Sequence, residues 1–303
     1  MYPGCGNIYE AQQKNERGIL KMKHEIPKKM FIYAILLLMS LLIVFPLIYC
    51  LSASLKTNME IMAMPEKVFP KELTFDNYRK IMNSDSFNIG HMLFNSVWYT
   101  VLSVCITVFL SMVCGYVFAR GEFPGKKLIF LVFSALMFIS LGSITIYPVF
   151  DVLSILHLND SLMGLVVMQC FGIPVVNMYL VRGFINGLPR EIDEAASIDG
   201  CSFIDTLFKI IAPMLKPILI TIGMLAFNSS WNSYLMPALF TMTRPEQQTL
   251  IVGIMEFKNT GEAAAAWNLI LAATTVTIIP VVAIYIVGNK YITEGFIAGA
   301  VKG

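Results

Sequence analysis

Residues 31–55 read FIYAILLLMSLLIVFPLIYCLSASL, without one acidic or basic side chain. A helix needs about 20 predominantly apolar residues to cross the hydrocarbon core of a bilayer. This stretch is long enough, and five others match it: Ser86 to Ala119, Leu128 to Phe150, Ser161 to Val181, Pro217 to Thr243 and Ala263 to Asn289. Inside lipid, every backbone N–H and C=O must be paired within the protein, so an apolar segment crosses as a helix. The reading is an all-α, polytopic membrane protein of six transmembrane helices. The second stretch is longer than a bilayer requires, so its first residues are expected to lie along the outer surface.

Composition agrees. The chain is 56% hydrophobic and 14% charged, against roughly 25% charged residues in soluble domains. A net charge of +2, with no basic cluster interleaved with aromatics, gives no footprint for nucleic acid. Of 22 Lys and Arg residues, the majority fall on one side of the six spans, among them Arg120, Lys126, Lys127, Arg182, Arg190, Lys209 and Lys216. Positive charge marks the cytoplasmic side, so both termini are expected in the cytoplasm. Residues 1–29 then form a cytoplasmic segment. Residues 30–303 form one transmembrane domain, with a cytoplasmic loop over 182–216. No cleavable signal is expected, and Met22 is an alternative start.

The energy source is read from what the spans omit. Carriers driven by ion gradients place ionisable groups at membrane depth, and these spans hold none there. A nucleotide-binding phosphate loop, G-x-x-x-x-G-K-[ST], is also missing. The nearest string, Gly121 to Lys127, has three residues between its glycines, and no Ser or Thr follows its lysines. Uphill transport would therefore draw energy from a partner. The six cysteines include no C-x-x-C pair and the three histidines are scattered, so no metal site is expected. An intramembrane enzyme would need a nucleophile and base together, and no His or Asp accompanies the Ser and Thr residues at depth.

The 182–216 loop is suited to receiving a partner. Pro189 precedes the acidic run Glu191, Asp193 and Glu194, and proline and acids suit a helix's first turn. Gly200 breaks that helix. Ser202 and Asp205 form a capping-box-like restart. Ile204, Leu207, Phe208 and Ile211 then make an i, i+3, i+4, i+7 stripe, closed by Pro213 and Pro217. Anionic lipid would repel the acidic half, which argues against a helix that only lies on the membrane.

These residues resemble the E-A-A loop of importer-type ABC permeases: Glu194-Ala195-Ala196, three residues, Gly200, nine residues, Ile210, then Pro213. The family has Leu before that proline, where this chain has Ala212. LPREIDEAASIDG, Leu188 to Gly200, is similar to the sugar-uptake, maltose-permease-G-like branch, in which an Asp, here Asp199, precedes the glycine. AGAVKG, Ala298 to Gly303, and SWNSYLMP, Ser230 to Pro237, are also similar, with Ser233 where the family has Glu. The resemblance runs from about Ile32 onwards.

It implies a type I ABC importer fold in a bacterial cell membrane, with a cytoplasmic coupling helix. The implied partners are a second permease subunit, a cytoplasmic ABC ATPase dimer, an extracellular solute-binding protein and a sugar. ATP and Mg would be bound by the ATPase subunits, with no cofactor in this chain. Glu194 would pair with a basic ATPase residue, Ala195 and Ala196 would permit close approach, and Gly200 would provide the turn. Ile204, Leu207 and Phe208 would bind the second helix to the ATPase groove or to the permease. The tail, Gly299 to Gly303, would reach between the ATPases. The same fold could serve a non-sugar solute such as glycerol phosphate, but an anionic solute favours basic residues along the path, and the spans lack them.

A translocation path is sketched more loosely. Ser96, Thr100, Ser103, Thr107 and Ser111 repeat on one face of the second span, as a cavity wall or, the favoured reading, as helix-packing glue. The fourth span carries Gln169, Gly172, Pro174 and Asn177, with a kink expected at Pro174. The fifth carries Asn228, Ser229, Ser230, Trp231 and Asn232. Trp231 and Trp267 suit the interface belt, or Trp231 stacks on a sugar. In relatives the sugar is held mainly by the other permease subunit. Outer loops Lys56–Ser86 and Thr243–Glu262 would face the binding protein, with 257–262 nearest its cleft.

Overall fold

The computed structural model describes the backbone of residues 5–83, 87–138, 142–259 and 266–300, and side chains between residues 28 and 290 of those ranges, Ser143 excepted. Among the described residues the regular structure is helical, with no strand. In chain order the helices are α1 (Cys5–Ala53), α2 (Asn58–Ala63), α3 (Asp76–Met82), α4 (Ile89–Arg120), α5 (Lys126–Leu136), α6 (Ile146–Ile155), α7 (Leu162–Phe171), α8 (Val175–Asn186) and α9 (Glu191–Ile198). Then come α10 (Phe203–Asp205), a π-helical turn (Thr206–Ile211), α11 (Ala212–Met214), α12 (Lys216–Trp231), α13 (Leu235–Phe240), α14 (Leu250–Asn259) and α15 (Trp267–Ala300).

Three spans are unbroken: Lys28–Ala53 within α1, all of α4, and Trp267–Lys290 within α15. The fourth expected span is the pair α7 and α8, bent by 44°. The break falls at Gly172 to Pro174, as a proline without an N–H and with a clashing ring predicts. The fifth is α12, which meets the preceding helical segment Phe203–Met214 at 81°. The third departs from expectation. It divides into α5, of 11 residues, and α6, of 10, and Gly142 before α6 has φ +52°. Neither piece alone reaches the length of a crossing, and counting apolar residues cannot see such a break.

The second stretch folds as α4. It runs for 32 residues without interruption, its first turn capped by the Asn88 side chain, which accepts the His91 N–H at 3.0 Å. At 1.5 Å per residue it measures roughly 48 Å, longer than the hydrocarbon core it has to cross. α4 packs on α8, α12 and α7. Gly115 permits the closest approach, since a Cβ there would stand 2.6 Å from Val181 Cβ. Around it lies the core of one end of the bundle: Met112, Tyr116, Val181, Ile185, Leu207, Ile211, Leu215 and Ile222. A second cluster at the other end joins Ile81, Phe87, Ile89, Leu250 and Ile254 to α15.

α8 continues through Arg182 to Asn186. The Arg182 guanidinium lies 3.8 Å from the Phe130 ring centroid, and its Nε donates to the Phe118 carbonyl at 3.3 Å. An aromatic face and a carbonyl accommodate the charge within the helix, so the charge does not end it.

Candidate functional site: the coupling loop and the membrane interior

α9 has two faces. Glu194, Ala195, Ile198 and Asp199 are exposed, with Ile198 86% accessible, while Ala196 is buried and Ile192 and Asp193 are partly so. The small side chain of Ala196 therefore serves the approach of α9 to its own bundle. Ala195 is the alanine left facing outward. The helix stops in a Schellman turn. Gly200 takes φ +81°, its N–H donates to the Ser197 carbonyl at 3.1 Å, and the Cys201 N–H donates to the Ala196 carbonyl at 2.9 Å. Only a residue at ease with positive φ closes this turn, which explains Gly200 by backbone geometry.

The restart is the capping box expected. Ser202 Oγ accepts the Asp205 N–H at 3.1 Å, and its hydroxyl donates to Asp205 Oδ2 at 2.6 Å. Asp205 also pairs with Lys209 at 2.6 Å. Lys209, and next the Ser202 hydroxyl, hold the Asp205 carboxyl down at about 2. Bonding to the same carboxylate holds the Lys209 ammonium above its ordinary value.

The expected stripe over Ile204, Leu207, Phe208 and Ile211 does not form one face. Residues 206–211 wind as a π-helix, which spaces side chains differently from 3.6 per turn. Thr206, Leu207 and Ile211 turn inward and are buried, while Ile204 is 66% exposed. Phe208, about half exposed, stacks on Phe109 with centroids 6.4 Å apart. Ile210 is half-buried and Pro213 is exposed. The outward set is thus Glu194, Ala195, Ile198 and Ile204, and the inward set fastens the loop to the bundle. Propensity alone gives no signal for a π-turn.

The inward fastening centres on the end of α4. Arg120 Nε lies 2.8 Å from Asp193 Oδ2, a charge contact without hydrogen-bond alignment. Its Nη2 donates to the carbonyls of Leu188 at 2.8 Å and Ile185 at 3.2 Å. The Tyr116 hydroxyl donates to Asp193 Oδ1 at 3.1 Å, and its ring packs on Phe203 at 4.6 Å. A cavity of about 340 Å³ opens beside these groups. Sequence reasoning treated Arg120 only as a cytoplasmic charge and Asp193 only as a helix-start acid.

The residues proposed for a path do not form one site within this chain. Ser96, Thr100, Ser103 and Ser111 are buried and Thr107 is half-buried. Ser96 Oγ accepts the Leu250 N–H at 2.7 Å, and Asn95 Nδ2 donates to the carbonyls of Glu246 and Gln248. These bonds make this part of the stripe packing glue, holding the start of α14. Further along α4, Tyr99 and Ser103 are buried, and Ser103 Oγ and Gln169 Oε1 have no hydrogen-bond partner among the described residues. Asn177 is half-buried on α8. Asn228 and Asn232 are exposed and bonded to each other at 2.9 Å. Asn228 also borders an apolar cavity of about 300 Å³ between α12 and α15.

Trp231 is neither in an interface belt nor free to stack on a sugar. It is 3% exposed, its indole N–H donates to the Thr277 carbonyl at 3.2 Å, and its ring stacks on Phe227. The 257–262 segment lies partly outside the described residues, as do residues 301–303 of the tail, and the side chains from 298 on are not described. Among the described residues no three His, Cys, Asp or Glu side chains are grouped to hold a metal ion.

Comparison with known proteins agrees with this architecture. Residues 87–295 match the family described as binding-protein-dependent transport system inner membrane component, and the chain belongs to that family. It is a multi-pass permease of the ABC importer class. The sulfoquinovosyl glycerol transport system permease protein of Agrobacterium fabrum is 33% identical over 90% of this chain and 93% of its own. The arabinooligosaccharides transport system permease protein of Bacillus subtilis is 30% identical over 88% of this chain and 93% of its own. The trehalose transport system permease protein of Mycobacterium tuberculosis is 31% identical over 85% and 92%. In fold, the chain is similar to a bacterial ABC transporter involved in the import of the acidic polysaccharide alginate. The TM-score is 0.71, with 22% identity over 96% of this chain and 99% of that one.

Proposed function

We propose that this chain is the transmembrane permease subunit of an ATP-driven importer for a sugar or oligosaccharide. It works beside a second permease subunit, a pair of ATPase subunits that bind ATP and Mg, and an extracellular solute-binding protein. Residues 30–303 are the transmembrane domain, residues 1–29 a cytoplasmic segment, and both termini face the cytoplasm. The observation that carries the reading is the outward face of α9 and α10. Glu194 stands exposed there beside Ala195, Ile198 and Ile204. An exposed carboxylate next to the uncovered apolar side chains of Ala195 and Ile198, with Arg190, Glu191 and Ser197 also exposed, fits a protein groove with a basic residue in it, through a charge-assisted bond. The sugar class is supported by the relatives, whose names cite sugar-containing solutes.

In this reading closure of the ATPase pair around ATP displaces α9, and the bundle reorients with it. Gly200 keeps α9 and the following helix at the required angle, and Asp199 caps the first. Leu207, with Ile211, ties the second helix to the bundle, while Ile204, Phe208, Ile210 and Pro213 lie along its remaining surface. Thr100, Ser103 and Gln169 from the interior, and Asn177, Asn228 and Asn232 further out, are the polar groups available to a passing solute.

The test is co-expression with the neighbouring permease and ATPase. Wild type is compared with Glu194→Lys and Gly200→Asp in assembly, ATP hydrolysis and uptake of labelled trehalose and arabino-oligosaccharides. Weak assembly, or loss of stimulated hydrolysis in the variants, is the expected result. Variants that assemble, hydrolyse and transport as wild type would overturn the reading.

A further inference from the structure

We infer that Arg120 and Asp193 form a latch that makes α4 and the coupling helix α9 move as one piece. The inference rests on the coupling role proposed above and names the route by which motion enters the bundle. α9 is only eight residues long, and its one fully buried side chain is Ala196. A methyl group in an apolar contact resists sliding weakly, because dispersion is not directional. The directional attachment is Asp193. One of its oxygens receives the Tyr116 hydroxyl and the other faces the Arg120 guanidinium. Both partners belong to α4, Arg120 as its last residue.

The guanidinium is itself anchored. The carbonyls of Ile185 and Leu188, at and just beyond the end of α8, receive its Nη2. Carbonyls at a helix end lack partners within the helix, and a planar, multi-donor cation suits the position better than an ammonium does. Three elements, α4, α8 and α9, thus meet at one side chain that is 9% exposed. A push on the outward face of α9 passes to the end of the 32-residue α4. Arg120 and Asp193 are positioning residues, touching neither nucleotide nor solute.

The test reads coupling without needing the solute. Asn228→Cys is placed in a cysteine-free chain, assembled with the partner permease and ATPase in membranes. Its labelling by an impermeant maleimide is timed with and without ATP plus vanadate. With the latch intact, nucleotide is expected to change the labelling rate at least tenfold. Asp193→Asn keeps shape and an acceptor for Tyr116 but removes the charge. It should hydrolyse ATP within twofold of wild type while its labelling response falls below twofold, and Asp193→Glu should recover more than half of the response. If Asp193→Asn does not assemble, Arg120→Lys is held to the same two criteria. A full response in the variants overturns the latch. So does a parallel loss of hydrolysis and response, which would mean the pair only holds the fold. A wild-type background that recruits no ATPase overturns the coupling reading itself, and that result is distinct from either.

Discussion

α1 and α4 are both long and strongly apolar, and the protein uses them in opposite ways. Of the Lys28–Ala53 span only its last residue, Ala53, is buried, and residues 28–48 are all exposed. α4 has twelve buried residues, among them Asn95, Ser96, Thr100, Ser103 and Ser111. Beyond His91 in its first turn, its exposed side chains are mostly large and apolar: Phe94, Val97, Val101, Leu102 and Phe109. This reverses the soluble amphipathic helix. Where the solvent is lipid, apolar contact between helices gains little, and small and polar groups mark the packed face. α1 is rich in Leu and Ile but has few small or hydroxyl residues over the same length, and so it packs on little of its own chain. Its described ties lie near its end. Cys50 meets Leu271 and Thr275, and Asn77 donates to the Ser54 and Lys56 carbonyls at and just beyond α1.

The contrast breaks most severely at Gly115. Gly115→Leu would drive a side chain into Val181 at the α4–α8 contact, with the Arg182 backbone N only 3.3 Å from the new Cβ. Overpacking costs about 1–3 kcal/mol and more where backbone resists. The expected result is a large loss of monodisperse protein after solubilisation, or a drop in its thermal midpoint. Leu41→Ala on exposed α1 is the control, expected within about 0.5 kcal/mol of wild type for the isolated chain. If both substitutions cost the same, the contrast is wrong.

Ser96→Ala tests the packed polar face at a single bond. It strands the Leu250 N–H, a buried donor at the start of α14, and should cost about 1–3 kcal/mol. Ser96→Thr, which keeps the hydroxyl, should recover part of that. Smaller again is Ser202→Ala in the exposed loop, where loss of a helix cap costs about 1 kcal/mol. It would be seen as faster amide exchange at residues 203–206.

The smallest effect follows pH. The Asp205 carboxyl is held at about 2 by Lys209 and Ser202, below its ordinary 3.8. Its stabilising pair is therefore fully present above pH 4 and fades as pH falls through about 2. Asp205→Asn should raise exchange in this loop at pH 7 and make little difference near pH 2.

The sequence by itself determined the class of structure, because lipid dictates it. Charge-free stretches of sufficient length have to be helices, and Pro174, Gly200 and the Ser202–Asp205 cap act through local backbone chemistry that a string of residues displays. The helix–turn–helix over residues 191–214 was legible for the same reason. The rest depended on which face met which neighbour. Only the tertiary structure divided the third span into α5 and α6 and carried α8 past Arg182, whose charge a phenylalanine ring and a carbonyl accommodate. It wound residues 206–211 as a π-helix and so split the Ile204 and Leu207 faces. It also buried Trp231 on the Thr277 carbonyl and joined Arg120 to Asp193 across 72 intervening residues. A sequence fixes what each segment prefers in its solvent. Partners distant in the chain are chosen by packing, which no local preference encodes.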